Sequence, residues 1–230
     1  MNKTPDTILI IDFGSQYTQL IARRIRECKV FSIVKSNNIT INEIKNIKPK
    51  GIILTGGPES LTRNKKLKIT KDIFNLNIPI LGICYGMQLI ADYFHGKVSS
   101  STKKEFGHSV FQHKGSSKIF SSDKFKKKFD VWMSHSDNVT RLPKGFKCIG
   151  SSTNSKISAF SQEKDKIYGL QFHPEVTHTE QGLTIIKNFV IKICQCSKSW
   201  TTKNIIKDTI SSIKKTIKKD NVLLALSGGV

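Results

Sequence analysis

Four short apolar runs, TILIID (7–12), VFSIV (30–34), GIILT (51–55) and IPILGI (78–83), dominate the chain up to residue 83, and each is too brief to be a helix. Between the first two, Tyr17, Leu20, Ile21, Ile25 and Cys28 recur at helical spacing; a variable helix is expected around residues 65 to 75, and another from Tyr85 to Phe94. Strands covered on both faces read as continuous apolar runs, and parallel neighbours need a crossover between them. The expectation is therefore an α/β protein with a mainly parallel central sheet flanked by helices. Ligands on such sheets bind beyond the carboxyl ends of the strands.

From Gly96 the pattern changes to strands punctuated by turns, near 109–112, 130–134, 147–152, 157–161 and at IYGLQF (167–172), which predicts a smaller mixed or antiparallel sheet. A helix with Leu183, Ile186, Phe189, Val190 and Ile193 on one face comes next. CSKSWTT (196–202) reads as a linker, and a further helix over about 203–219 is expected to turn Ile205, Ile206, Ile210, Ile213 and Ile217 inward and its lysines outward. Val222 to Leu226 reads as a short buried strand, with Ser227, Gly228 and Gly229 opening a phosphate-cradling turn.

A length of 230 residues suits one full domain with a second element attached. The formal charge of +21 suggests nucleic acid, but only five of the 38 basic residues are arginine, the side chain that reads phosphate and guanine bidentately. The lysines are spread over helices and loops, and the reading is no nucleic acid. The polar start, Met1 to Thr7, carries no secretory apolar region, which with five cysteines implies the reducing cytoplasm. Residues 73 to 91 are uncharged, yet Asn75, Asn77, Pro79, Gly82 and Gly86 divide them into a helix end, a strand and a new helix, so no membrane span is expected.

GICYG (82–86) sets a cysteine between two glycines where a buried strand turns into a helix, the design by which a sharp turn lifts a nucleophile clear of its surroundings. At a helix N-terminus Cys84 is favoured as thiolate, whereas a free cysteine in isolation is more often a small core residue. QFHPEVTHT (171–179) supplies the base that a thiol needs, His173, with Glu175 two residues on and projecting to the same side. TGGPES (55–60) ends another buried strand, where the Gly57 N–H, with that of Tyr85, forms a candidate oxyanion hole. Alone each pattern has a bland structural reading; the ordered set favours acyl chemistry. His95, His108 and His113 lack ligand spacing and Cys194-x-Cys196 lacks a second pair, so no metal is expected.

With these residues the sequence resembles the class I, triad-type glutamine amidotransferases, and within them the GMP synthetases. GICYGMQ, QFHPE and TGGPES carry the class signal; IDFGSQYTQLIARRIRE (11–27), EFGH (105–108), DVWMSHSD (130–137), HPEVTHT (173–179) and NFVIKICQC (188–196) carry the narrower one. The resemblance implies a flavodoxin-like amidotransferase domain over 7–197, an interdomain linker and helix over 198–220, and over 221–230 the first strand and opening phosphate loop of an ATP pyrophosphatase domain. It implies Cys84 as nucleophile, His173 as acid and base, Glu175 as orienting carboxylate, and Gly57, Gln88, Ser134, His135 and Ser136 at the glutamine site. Ser136 stands where the family usually has glycine; if the position needs φ > 0, strain is expected there.

The resemblance further implies that L-glutamine is hydrolysed without a cofactor, and that ammonia passes to a synthetase domain, in cis or in trans, which uses ATP and magnesium to convert XMP to GMP. It is also compatible with a homodimer of the full enzyme. The rival readings are an inactive remnant with a regulatory or binding role, an amidotransferase of another pathway, and a nucleic-acid-binding module.

Overall fold

A computed structural model describes residues 5–62, 67 and 69–225. Nine strands form one hydrogen-bonded sheet: β1 (Thr7–Asp12), β2 (Phe31–Ser36), β3 (Gly51–Leu54), β4 (Ile80–Ile83), β5 (Lys97–His113), β6 (Lys128–Arg141), β7 (Lys147–Ser152), β8 (Ala159–Gln162) and β9 (Ile167–Leu170). Their order is β2-β1-β3-β4-β9-β8-β7-β5-β6. The first five are parallel and the remainder antiparallel, with β9 belonging to both halves. The antiparallel strands expected after Gly96 thus extend the parallel sheet. β5 and β6 are longer than expected because SSSTKKE and HSDNVTR have no apolar alternation to reveal them.

Helices cover both faces of the parallel half. In α1 (Thr18–Glu27), Ile21, Ala22 and Ile25 are buried in the same cluster as Ile8 and Ile10 of β1 and Ile53 of β3. On the opposite face Leu9, Ile11, Ile52 and Leu54 pack with Met87 and Ile90 of α3 (Tyr85–Tyr93). Alternate residues of one strand therefore enter two cores, which is why these strands are apolar throughout. α2 (Ile41–Ile47) is a helix that apolar periodicity alone does not announce; its mark is the capping box Thr40…Glu43, with both reciprocal hydrogen bonds formed. The uncharged stretch 73–91 resolves into the end of a 3-10 turn (Lys71–Asn75), β4 and most of α3. Among the described residues no helix is long and apolar enough to cross a membrane. Of the helix expected around 65–75, only that 3-10 turn is described, residues 65, 66 and 68 lying outside the described set.

Three expectations near the C-terminal end are corrected. α4 (Gly182–Lys187) continues as π-helical turns, Asn188–Ile193, and buries Ile186, Phe189, Val190 and Ile193 of the expected face together with Ile185, while Leu183 in the first turn is exposed. α5 (Thr202–Ile217) buries none of its residues: Ile206, Ile210 and Ile213 face solvent because no described element packs on that stripe. Val222, Leu223 and Leu224 are exposed and irregular and join no strand among the described residues. Ser227, Gly228 and Gly229 lie outside the described residues. The expected linker is pinned to the domain, with Trp200 packed on Phe31 at 4.4 Å between ring centroids and its N–H donating to the Lys29 carbonyl (2.9 Å).

β4 and α3 meet at two glycines. A Cβ on Gly82 would sit 2.5 Å from the Gly86 carbonyl group, and one on Gly86 2.3 Å from the Leu54 carbonyl oxygen. These are backbone collisions that no rotamer change relieves. Gly82→Ala should lower stability by about 1–3 kcal/mol through overpacking, read as a fall of several degrees in thermal unfolding; an unchanged transition would contradict the contact.

Candidate active site

The Gly82–Gly86 approach leaves one residue to make the turn. Cys84 takes φ +51° and ψ −106°, outside the regions comfortable for a side-chain-bearing residue. It is held there from both sides: its N–H donates to the Leu170 carbonyl (2.7 Å), its carbonyl accepts the Gln88 N–H (3.2 Å), and the Gly86 N–H donates to the Thr55 carbonyl (3.0 Å). The thiol therefore stands at the carboxyl ends of β3, β4 and β9 and at the N-terminus of α3. Its S–H points at the Ser134 carbonyl, 3.4 Å away.

β9 ends at Leu170, earlier than the run IYGLQF suggests, and the chain turns sharply through 171–179. That turn is clamped. The His173 N–H donates to the Trp132 carbonyl (3.0 Å), the Thr179 hydroxyl donates to the His173 carbonyl (2.7 Å) and accepts the Trp132 N–H (3.1 Å), and Arg24 Nε donates to the Glu175 carbonyl (2.9 Å). His173 Nδ1 lies 2.7 Å from Glu175 Oε1, with both side chains buried. Burial opposes charge on the His173 ring, but the Glu175 carboxylate and contact with Cys84 outweigh it and hold the ring well above the usual imidazole range. Cys84, His173 and Glu175 are thus brought into one chain of contacts.

Two cavities meet on Cys84 and share Gly57, Pro58 and Ser134. One, of about 200 Å³, is lined by Glu59, Tyr85, Gln88, Phe106 and the segment Ser134–Asp137. The other, of about 240 Å³, is lined by Gly14, Ser15, Gln16, Tyr17 and His173. All the residues expected at a glutamine site therefore border the first cavity. Tyr85, the first residue of α3, has a backbone N–H with no intrahelical acceptor, and the Gly57 backbone borders the same space. A Cβ on Gly57 would meet the Phe13 carbonyl oxygen at 2.7 Å, so this strand exit must be glycine.

Ser136 lies within β6, outside the positive-φ residues, so the expected strain is absent: an extended strand accepts serine as readily as glycine. The EFGH and SHSD segments turn out to be neighbours across β5 and β6, Glu105 opposite His135. His135 Nε2 stands 3.2 Å from Glu105 Oε2, at ion-pair distance though not aligned as a hydrogen bond, and both side chains are buried. Burial raises the Glu105 carboxyl, but His135 together with the hydroxyls of Ser109 and Ser152 brings it below the ordinary carboxylate range. Asp137, also buried, accepts the hydroxyls of Ser60 and Thr62, tying the loop after β3 to the cavity wall.

The first βα loop has a part in the site that sequence reasoning leaves unassigned. Asp12 Oδ1 accepts the N–H groups of Gly14 (2.9 Å) and Ser15 (3.2 Å) and the Thr18 hydroxyl (2.6 Å), fixing the loop as a wall of the second cavity, and the Tyr17 ring stands edge-on to His173 at 5.0 Å. An Asp followed by Gly-Ser just before a helix is a recognisable turn-and-cap signal. Burial pushes Cys28 up to about 11 and Cys196 up to about 12, and raises Cys194 well above the thiol range, while Cys148 donates to the Gly150 carbonyl. No group of three or more His, Cys, Asp or Glu residues suited to a metal occurs among the described residues.

Residues 9–193 match the family profile described as "Glutamine amidotransferase class-I". The chain is 46% identical over 228 residues to a GMP synthase [glutamine-hydrolyzing] of Actinobacillus succinogenes, covering 97% of this chain and 44% of that protein. It is 49% identical over 227 residues to its counterpart in Ruthia magnifica, covering 98% and 44%. The chain therefore spans less than half the length of these curated relatives. Among solved structures, a GMP synthase subunit from Thermoplasma acidophilum superposes with a TM-score of 0.76 at 31% identity, covering 93% of this chain and all of that one. A glutamine amidotransferase from Thermotoga maritima, at 19% identity and a TM-score of 0.60, shares the fold.

The raised His173 ring links stability to pH. A group whose folded value is raised contributes stability that is fully present below its ordinary value of 6.5 and is lost as pH climbs through the raised one. Glu175→Gln removes the attracting charge, so the variant should be less stable than the parent by a margin widest below the ordinary imidazole value and narrowing as pH climbs through the raised one. Urea unfolding across that range measures it, and a margin independent of pH would count against the pairing.

Proposed function

The chain belongs to the class-I glutamine amidotransferase family, and on that premise we propose that it hydrolyses glutamine to glutamate and ammonia at Cys84. The observation that carries the proposal is the buried chain Cys84–His173–Glu175 at the junction of two cavities, with the Gly57 and Tyr85 backbone beside the sulfur.

Each component has a definite task. Glutamine enters the cavity lined by Gln88, Ser134, His135 and Ser136 with its carboxamide toward Cys84. His173 takes the thiol proton, an exchange favoured by its raised basicity, and the thiolate attacks the carboxamide carbon. The N–H groups of Gly57 and Tyr85 receive the developing oxyanion; losing one such donor typically costs about 100 to 1,000-fold in rate. His173 then hands its proton to the departing nitrogen, the C–N bond breaks, and ammonia and a γ-glutamyl thioester remain. Water, deprotonated by His173, attacks the thioester; collapse releases glutamate and returns the thiolate beside a protonated ring. The amine that leaves and the water that arrives occupy the same corner of the tetrahedral carbon, and both need His173. Of the two cavities that meet on Cys84, His173 borders the one formed by Gly14–Tyr17, which favours that side for the departure of ammonia and the entry of water.

The relatives are named as glutamine-hydrolysing GMP synthases, and this supports a destination for the ammonia: amination of XMP to GMP by an ATP- and magnesium-dependent synthetase domain, in cis or in trans. Ser227, Gly228 and Gly229, the residues proposed to begin its phosphate loop, lie outside the described residues. The exposed stripe Ile206, Ile210 and Ile213 and the neighbouring Val222–Leu224 fit a chain that continues into a further packed unit, and five unpaired cysteines fit a reducing cytoplasm. A regulatory-remnant reading draws on strain at Ser136, and the strand geometry there removes that support.

The purified chain should release glutamate from glutamine, and Cys84→Ala should abolish the release. Adding a separately expressed synthetase domain should raise the rate and, with ATP, magnesium and XMP, yield GMP. A folded chain that releases no glutamate with or without that domain would overturn the proposal.

A further inference from the structure

Gln171 is completely buried, yet neither the acyl chemistry nor the fold accounts for its amide. Its Nε2 lies 3.7 Å from Cys84 Sγ, and its Oε1 accepts from Gln88 Nε2 at 3.3 Å. Gln88 Nε2 also donates to the Asp137 carbonyl at 2.8 Å. Four buried groups therefore form one line, from the Asp137 carbonyl through the Gln88 and Gln171 amides to the reactive sulfur.

The chemistry of amides fixes the direction of that line. A primary amide has an acceptor end and a donor end, and which end points where follows from its partners. The Asp137 carbonyl can only accept, so Gln88 must present its NH2 group there. That same NH2 group then meets Gln171, which must answer with its oxygen. The Gln171 NH2 group is left facing Cys84 and has no alternative orientation that avoids setting two donors together at Gln88.

An N–H donor aimed at sulfur has unequal value in the two protonation states. To a neutral thiol, whose own S–H is directed at Ser134, it offers a weak contact. To a thiolate it offers a charge-assisted hydrogen bond at a buried sulfur, where an unpaired anion is costly. The thiolate also loses its donation to the Ser134 carbonyl and is left facing that oxygen, so a compensating donor on another side is needed.

We propose that Gln171 is a fourth functional residue of the site: its amide N–H, oriented by Gln88, holds and stabilises the Cys84 thiolate. The role deepens the proposed glutaminase reaction and rests on that reading only for its effect on turnover. It also makes Gln88 bifunctional, since a residue of the glutamine cavity wall sets the amide that faces the sulfur.

The test compares Gln171→Met, which keeps the volume and removes the donor, with Gln88→Met and the double variant in the full chain. The first reading is the rate at which iodoacetamide alkylates Cys84 at fixed pH, followed by peptide mass. Gln171→Met should slow alkylation about 10-fold, the scale of one hydrogen bond to a charged group, while unfolding within a few degrees of the parent. Gln88→Met should slow it comparably, and the double variant should be no slower than either, because both break one line. Gln171→Glu, which preserves shape and replaces the donor by an acceptor, should slow it further and serves if the methionine variant does not fold. The kcat for glutamate release should fall with the alkylation rate in Gln171→Met, with KM changing less. Alkylation at the parental rate in the folded variants, or single effects that multiply in the double variant, would overturn the proposal. A parent that alkylates at Cys84 but releases no glutamate would instead remove the glutaminase reading and leave the role of Gln171 to be judged by alkylation alone.

Discussion

The candidate site depends on how closely the end of β4 approaches the start of α3. Gly82 and Gly86 bring backbone against backbone with no room for a Cβ, and the turn between them can be completed only by a residue at positive φ. Glycine would take that conformation freely, but glycine carries no nucleophile. Cys84 accepts a strain of order 1–3 kcal/mol, and its own hydrogen bonds with Leu170 and Gln88, with that from the Gly86 N–H to the Thr55 carbonyl, prevent its relaxation. The direction of the thiol is thus determined by packing several residues away. Any change that lets α3 retreat from β3 would release the strain and lose the geometry with it.

Continuity of the sheet assembles the rest. Parallel strands bring the ends of β1, β3, β4 and β9 to one edge and supply the cysteine, the Gly57 turn and the His173 segment, as such sheets generally do. The remaining wall comes from β6, which belongs to the antiparallel half and reaches the site because β9 pairs with β4 on one side and β8 on the other. The His173 N–H bonds to the Trp132 carbonyl, and Gln88 bonds to the Asp137 carbonyl, so both halves hold the same few residues. Behind that wall Glu105 and His135 are buried as a pair, with Ser109 and Ser152 filling out the carboxylate. A buried pair of this kind contributes little net stability, but it makes register slippage of β6 costly, and register is what aims Ser134 and Asp137.

The legibility of these features in the sequence follows from their range. The doubly covered strands are legible because burial on both faces leaves a continuous apolar run, and the elbow because two glycines around a cysteine have a local cause. His173 and Glu175 can be paired because they stand two residues apart. Contacts set by tertiary pairing leave no such mark: Glu105 and His135 are about thirty residues apart in the chain, and the amide of Gln171 is oriented by Gln88, 83 positions earlier. The helical stripe of α5 is real as a periodicity and misleading as a burial, since a pattern states which face is apolar and not what covers it. Ser136 misleads for a related reason: an expectation of glycine is converted into an expectation of positive φ, and a strand imposes none.

The site also departs from ordinary stability rules in ways that bear on one another. Cys84 is strained, the second oxygen of Glu175 is buried without a hydrogen-bond partner among the described residues, and a charged imidazole is favoured where water is excluded. Taken singly, each is destabilising. Together they fit the role proposed for His173, set between the Glu175 carboxyl and the Cys84 thiol. The unpaired carboxylate oxygen keeps the Glu175 charge from being dispersed into local hydrogen bonds, so more of its field acts on the ring. The strained turn keeps the sulfur close enough for the ring to serve both groups. Relieving either feature would stabilise the local structure while weakening the coupling of His173 to Glu175 and Cys84.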